Sequence, residues 1–70
     1  MSNAELEWQP LSSSHVAACA YKDGTLYVQY TNGTIYEAEA NQEEFDGLKN
    51  ASSPGRYLNL MFKGRLTRLS

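Results

Sequence analysis

Tyr21-Lys22-Asp23-Gly24-Thr25-Leu26-Tyr27-Val28-Gln29-Tyr30-Thr31-Asn32-Gly33-Thr34 contains two turn dipeptides, Asp23-Gly24 and Asn32-Gly33, spaced nine residues apart. Each is a preferred pair for a two-residue type I′ hairpin turn, in which both central residues need a positive φ. Between them, Thr25–Thr31 is β-branched and aromatic, a composition that favours strand over helix. Three antiparallel strands are expected, over 14–22, 25–31 and 34–39.

Two-residue turns fix the register, and the register sorts the side chains. Tyr21 is then expected opposite Leu26, Cys19 opposite Val28, Ala17 opposite Tyr30, and Tyr30 opposite Ile35. That face is the expected core. Glu37 and Glu39 fall opposite Val28 and Leu26 and read as edge-strand charges that discourage aggregation. The other face carries Val16, Ala18 and Ala20 beside Tyr27, Gln29, Tyr36 and Ala38. On it, Tyr27 and Tyr36 stand over a floor of small residues. Either the N-terminal arm or a second chain covers that face, or it stacks a planar ligand, or it is exposed to solvent without a role.

After the strands, Asn41-x-x-Glu44 matches a capping box with Asn as N-cap. Phe45, Leu48 and Ala51 follow at helical spacing, and Gly47 weakens that helix by about 1 kcal/mol relative to Ala. Ser53-Pro54 signals a second start, with Pro at the first helical position, where its missing N–H costs nothing. Leu58, Met61 and Phe62 form an apolar stripe, and Gly64 is the expected stop. The expected fold class is α+β: a three-stranded antiparallel meander followed by two short C-terminal helices. Residues 1–10, with Trp8 and Pro10, read as a flexible N-terminal arm, and 11–70 as a single domain.

Seventy residues with one cysteine and one histidine exclude an internal disulfide and a four-ligand zinc site built from this chain. No cofactor or metal is expected. A core this small supplies about 3–5 kcal/mol, so strong local structure or self-association has to support it. No apolar run reaches the roughly 18 residues of a membrane span, and no secretory signal is evident. A lone thiol fits a reducing, cytoplasmic setting.

The net charge of −2 is unevenly spread. All the acids precede residue 56, whereas Arg56, Lys63, Arg65 and Arg68 follow with no acid among them. Either these form a solvated helix face attracted to its acidic neighbour, or they make an anion-binding patch. Arg56 sharpens the choice. At the third helical position a cation opposes the positive end of the helix dipole, and Glu would be the stabilising residue. Arg56 therefore either binds an anion with the free N–H groups of the first turn or pairs with Glu43, Glu44 or Asp46. No catalytic residue is assigned. Ser13 and His15 share a strand face, but no third group orients the imidazole. Cys19 is expected to be a buried, inert thiol.

Three blocks together resemble the KTSC domain over residues 11–66: Ser13–Tyr21, then Leu26-x-Val28-x-Tyr30 with Gly33 and Tyr36, and Ala51-x-Ser53-x-Gly55-Arg56-Tyr57-x-Asn59 with Lys63. That family is named for its place at the C-terminus of some lysyl-tRNA synthetases. It also occurs as free-standing small proteins of bacteria and their phages. Its central Tyr-x-Tyr pattern stands here as Tyr36-Glu37-Ala38. The resemblance implies a family with no assigned biochemical task, and the chain is expected to be a non-enzymatic binding module. Candidate binding residues are Tyr27, Tyr36, Ser53, Gly55, Arg56, Tyr57, Asn59, Lys63 and Arg65. The expected partner is a protein or a second copy of the chain, as in a phage or prophage accessory protein. The alternative is RNA, with Arg56, Lys63, Arg65 and Arg68 on phosphates and Tyr27 or Tyr36 stacking bases.

Overall fold

The computed structural model describes residues 6–69. Seven elements follow one another: β1 (Gln9–Pro10), β2 (Val16–Lys22), β3 (Thr25–Tyr30), β4 (Ile35–Glu39), α1 (Gln42–Asn50), α2 (Pro54–Met61) and β5 (Thr67–Arg68). The five strands form one antiparallel sheet in sequence order. The α+β class holds, and the three-strand meander is its centre. The two added strands are two-residue edges.

β1 corrects the reading of residues 1–10 as an unanchored arm. Gln9 and Pro10 pair with Cys19 and Ala18, and the Leu11 N–H donates to the Ala17 carbonyl at 3.0 Å. Pro10 lacks a donor and is tolerated because β1 is an edge. The rest of that expected arm, residues 1–5, lies outside the described residues. β5 claims Thr67 and Arg68 from the expected basic tail, pairing them with Glu37 and Tyr36.

The two turns differ, and the difference flips a strand. Asp23 and Gly24 have φ of 52° and 82°, as a type I′ turn requires, and Lys22 pairs with Thr25. At the second turn only Gly33 is positive, with φ 93°. Gly33 N–H donates to the Tyr30 carbonyl, and Tyr30 N–H donates to the Thr34 carbonyl. This is a three-residue loop, Thr31-Asn32-Gly33, in which glycine supplies the left-handed position. One extra loop residue moves the β4 register by one and turns each of its side chains over. Tyr36 pairs with Val28, Ala38 with Leu26, Glu37 with Tyr27 and Glu39 with Thr25. The expected pairing of Tyr30 with Ile35 is replaced by Gln29 with Ile35. A register irregularity between Val16 and Ala18 also places Val16, not Ala17, opposite Tyr30.

Both helices pack on one face of the sheet. Val16, Cys19, Leu26, Val28 and Ala38 meet Phe45, Leu48, Leu58 and Phe62 in one buried cluster. Tyr21 stacks on Phe45 at 5.4 Å between ring centroids and donates its hydroxyl to the Ala40 carbonyl. Burial pushes the Cys19 thiol up to about 11, with Lys49 opposing weakly. That makes the thiolate scarce at neutral pH. Met61, expected in the apolar stripe, is 46% exposed; α2 is anchored instead by Pro54, Leu58 and Phe62.

The capping box forms as expected: Glu44 N–H donates to Asn41 Oδ1, and Asn41 N–H donates to Glu44 Oε1. Arg65, expected to bind a ligand, completes this corner. Its guanidinium donates to both Glu44 carboxylate oxygens and to the carbonyls of Glu39 and Met61. It also lies 4.3 Å from the Phe62 ring centroid. The end of β4, the start of α1 and the end of α2 are thereby tied together.

The Arg65 hydrogen bond is the main cause that holds the Glu44 carboxyl below its ordinary value of 4.5. A depressed carboxyl contributes its stability fully above its unfolded pKa and loses it as the pH falls through the folded one. Arg65→Met is therefore expected to cost about 1 kcal/mol at pH 7, since the pair is partly solvated. It should also flatten the loss of stability below about pH 5. Urea unfolding at pH 7 and pH 4 checks both, and an unchanged pH slope would free Glu44 of the role.

Candidate functional site

Three segments meet beside the start of α2: the Ser12–His15 bend before β2, the Tyr30–Asn32 turn, and Ser52–Asn59. They enclose a cleft of about 820 Å³. Hydrogen bonds fix its first two walls. Ser13 Oγ accepts from the backbone N–H groups of His15 and Val16, both at 3.2 Å. Thr31 N–H donates to the His15 carbonyl at 2.9 Å, and the Thr31 hydroxyl donates to the Ser14 carbonyl. Ser13 therefore serves the backbone of the bend, and its Oγ accepts from the peptide N–H of His15.

The third wall is α2. Ser53 is its N-cap and Pro54 its first residue, as the sequence indicated, and Pro54 is buried. Gly55 faces the bend, where a Cβ would make only an ordinary contact with His15 Cβ at 3.9 Å. The first bond back along the helix is Tyr57 N–H to the Ser53 carbonyl, at 2.9 Å. An N-cap serine ordinarily accepts from the next free N–H groups. The Ser53 side chain does not. The N–H groups of Gly55 and Arg56 consequently lack a helical acceptor at the positive end of the dipole.

Charge singles the cleft out. Among the described residues no acid lines this cavity, although the chain has eight; the ionisable side chains in its walls are Arg56, His15 and Tyr30. Burial, reinforced by the neighbouring Tyr36, raises the Tyr30 pKa and keeps that phenol neutral. Among the described residues Arg56 makes no hydrogen bond, ion pair or ring contact. The expected alternative, a pair with Glu43, Glu44 or Asp46, is not formed: Glu44 belongs to Arg65, and Asp46 meets Lys49 at 3.9 Å.

The candidates from sequence separate into groups. Ser53, Gly55, Arg56 and Asn59 all line the cleft. Tyr57 points to α1, donating its hydroxyl to the Glu44 carbonyl at 3.2 Å and packing against the core. Lys63 is exposed just past α2, and Arg65 is the clamp described above. Tyr27 and Tyr36 do not share a face, because they pair with Glu37 and Val28 respectively. Tyr36 instead makes an edge contact with Tyr30 at 5.4 Å, so the expected two-tyrosine platform does not exist. His15, Tyr30 and Asn32 were missed as site residues. No local signal marks them, because only the fold brings the Ser13–Tyr21 and Ala51–Asn59 blocks of the family resemblance together at this one place.

Among the described residues no group of three His, Cys, Asp or Glu side chains is placed to hold a metal ion, and no helix is long and apolar enough to cross a membrane.

A crystal structure of a KTSC domain protein from Yersinia pestis has the same fold, with a TM-score of 0.77 at 24% identity. The match covers 93% of this chain and 96% of that one. No curated protein matches. The family model of the KTSC domain matches residues 12–65, which takes in all three walls of the cleft. The chain belongs to the KTSC domain family.

Proposed function

We propose that this domain is a protein-interaction module, not an enzyme, and that it captures one anionic group of its partner, a carboxylate or a phosphate, in the Arg56 cleft. One observation carries the reading: among the described residues, no acid lines the Arg56 cleft of this acidic chain and its arginine is unpaired. An anion seated there accepts charge-assisted bonds from the guanidinium and from the free N–H groups of the first turn. Ser53 and Asn59 add neutral donors, and the volume leaves room for the partner's neighbouring atoms.

Nucleic acid is the weaker reading. A strand needs a row of free cations and exposed rings for stacking. Here Arg65 is committed to Glu44, and the two tyrosines lie on opposite faces of the sheet.

Titration of isotope-labelled protein with phosphate and with acetate tests the proposal. Amide shifts should concentrate at Gly55, Arg56 and His15. Arg56→Glu should abolish them, at least a tenfold loss, while leaving stability unchanged or raised by a few tenths of a kcal/mol, because an acid suits the third helical position. Shifts that survive Arg56→Glu sink the reading. Binding of a uridine oligonucleotide that weakens steeply between low and moderate salt would replace it with nucleic-acid recognition.

A further inference from the structure

We propose that the sheet face turned away from the helices is a self-association surface, and that its occupant is a second copy of this chain. Lys22, Thr25 and Glu39 form one row across β2, β3 and β4, and Tyr27 and Glu37 lie in the next. Alternation along each strand turns all five away from the cluster of Leu26, Val28 and Ala38, on which both helices pack. Charge is divided across this outer face. Lys22 stands on the β2 side, whereas Glu37 and Glu39 stand on the β4 side and border a depression of about 400 Å³. Arg65, at the rim of that depression, is already bonded to Glu44. Among the described residues, the Lys22 ammonium and the Glu37 and Glu39 carboxylates make no hydrogen bond or ion pair.

Such a face complements itself about one particular axis. A two-fold axis running along β3, between two sheets packed face to face, sets β2 of each copy over β4 of the other. Each row then meets the same row. Lys22 comes to Glu39 and the adjacent Glu37 of the second copy, twice by symmetry, and Tyr27 meets Tyr27 at the axis. Packed sheets lie about 10 Å apart, a gap that a lysine and a glutamate side chain span together. An axis across the strands would instead set Lys22 over Ala18 and Glu39 over Ile35, covering the charges without partners. The strands have only five to seven residues, so the face is small. Half-association is accordingly expected near about 100 µM. The helices lie on the opposite side of the sheet, so the dimer presents two Arg56 clefts to a partner.

Sedimentation equilibrium of the full chain from about 10 µM to about 1 mM tests the proposal. The parent mass should rise from one copy toward two. Lys22→Glu and Glu39→Lys each set like charges together at both contacts, and each should weaken association about tenfold or more. An equimolar mixture of the two variants should restore it, because each copy then offers the charge that the other lacks. Both positions are exposed, and unchanged thermal unfolding of dilute samples confirms that the fold is intact. A parent that stays at the mass of one copy at the highest concentration overturns the proposal. So does a dimer that neither variant weakens, or a mixture that fails to recover. Arg56→Glu should leave the dimer as it is, so this surface and the anion cleft stand or fall separately.

Discussion

Phe62→Ala is expected to lower stability by about 3–5 kcal/mol, enough to leave most of a 70-residue domain unfolded at room temperature. Phe62 is fully buried and lies one turn beyond Leu58 and two beyond Pro54, the three anchors of α2 on the sheet. An eight-residue helix does not persist in water without such anchors. Phe62 also organises the corner beyond the helix: its N–H donates to the Leu58 carbonyl, and its own carbonyl accepts from Arg65 N–H, both at 2.9 Å. The Arg65 guanidinium rests on its ring. Alanine would leave a cavity and remove the surface against which the clamp is held. Phe62→Leu, which keeps most of the volume, should cost roughly 1 kcal/mol. Urea unfolding followed by far-ultraviolet circular dichroism compares the two. A loss below 1 kcal/mol for Phe62→Ala would show that α2 is held some other way.

The same helix explains how one short motif serves two purposes. In Gly55-Arg56-Tyr57-x-Asn59, alternate sides of the helix face different things. Gly55, Arg56 and Asn59 border the cleft, whereas Tyr57 turns toward α1. A mutation in this block is therefore informative only when its side is known. Arg56 changes address binding, and Tyr57 changes address the fold that positions it.

How much of this was legible depended on how local the deciding interaction is. The Asp23-Gly24 turn, the Asn41–Glu44 capping box and the Ser53-Pro54 start each involve neighbours within a few residues, and each forms as read. The Asn32-Gly33 turn was misread because the same dipeptide also suits a three-residue loop with only Gly33 left-handed. The alternation Tyr36-Glu37-Ala38-Glu39-Ala40 held the correction. Acids at every second position cannot face a core, so the strand pattern should outweigh the turn dipeptide. β1 and β5 are two residues each and have no periodicity to read; their partners across the sheet create them. Arg65 looked like a free cation for a similar reason: Glu44 is 21 residues away and the Glu39 carbonyl 26. Arg56 was legible because its position opposes the helix dipole, a local conflict. Its neighbours in the cleft, His15 and Tyr30, arrive only through the tertiary fold.

Gly47 is where local preference and packing give opposite signs for one substitution. By helix preference alone, Gly47→Ala should stabilise α1 by about 1 kcal/mol. We expect the reverse, a loss of about 1–3 kcal/mol. A Cβ at Gly47 would come within 2.9 Å of Tyr57 Cζ and 3.1 Å of Cε2, and nearer still to the hydroxyl. A flexible side-chain end could swing aside, but this ring is not free to do so. Its hydroxyl donates to the Glu44 carbonyl, and its body packs on the core beside Phe62 at 6.4 Å. Moving it leaves a buried edge uncovered and shifts α2, which carries Arg56. Gly47 is thus the seat that lets Tyr57 lock the two helices together. Combining Gly47→Ala with Tyr57→Leu distinguishes this from a backbone requirement, because Gly47 lacks the positive φ that marks Gly24, Gly33 and Gly64. Each single variant should be less stable than the parent, and the double variant should be more stable than the sum of their losses predicts, by about 1 kcal/mol or more. Strict additivity, or a Gly47→Ala protein that unfolds at higher urea than the parent, would show that the tyrosine moves away without cost.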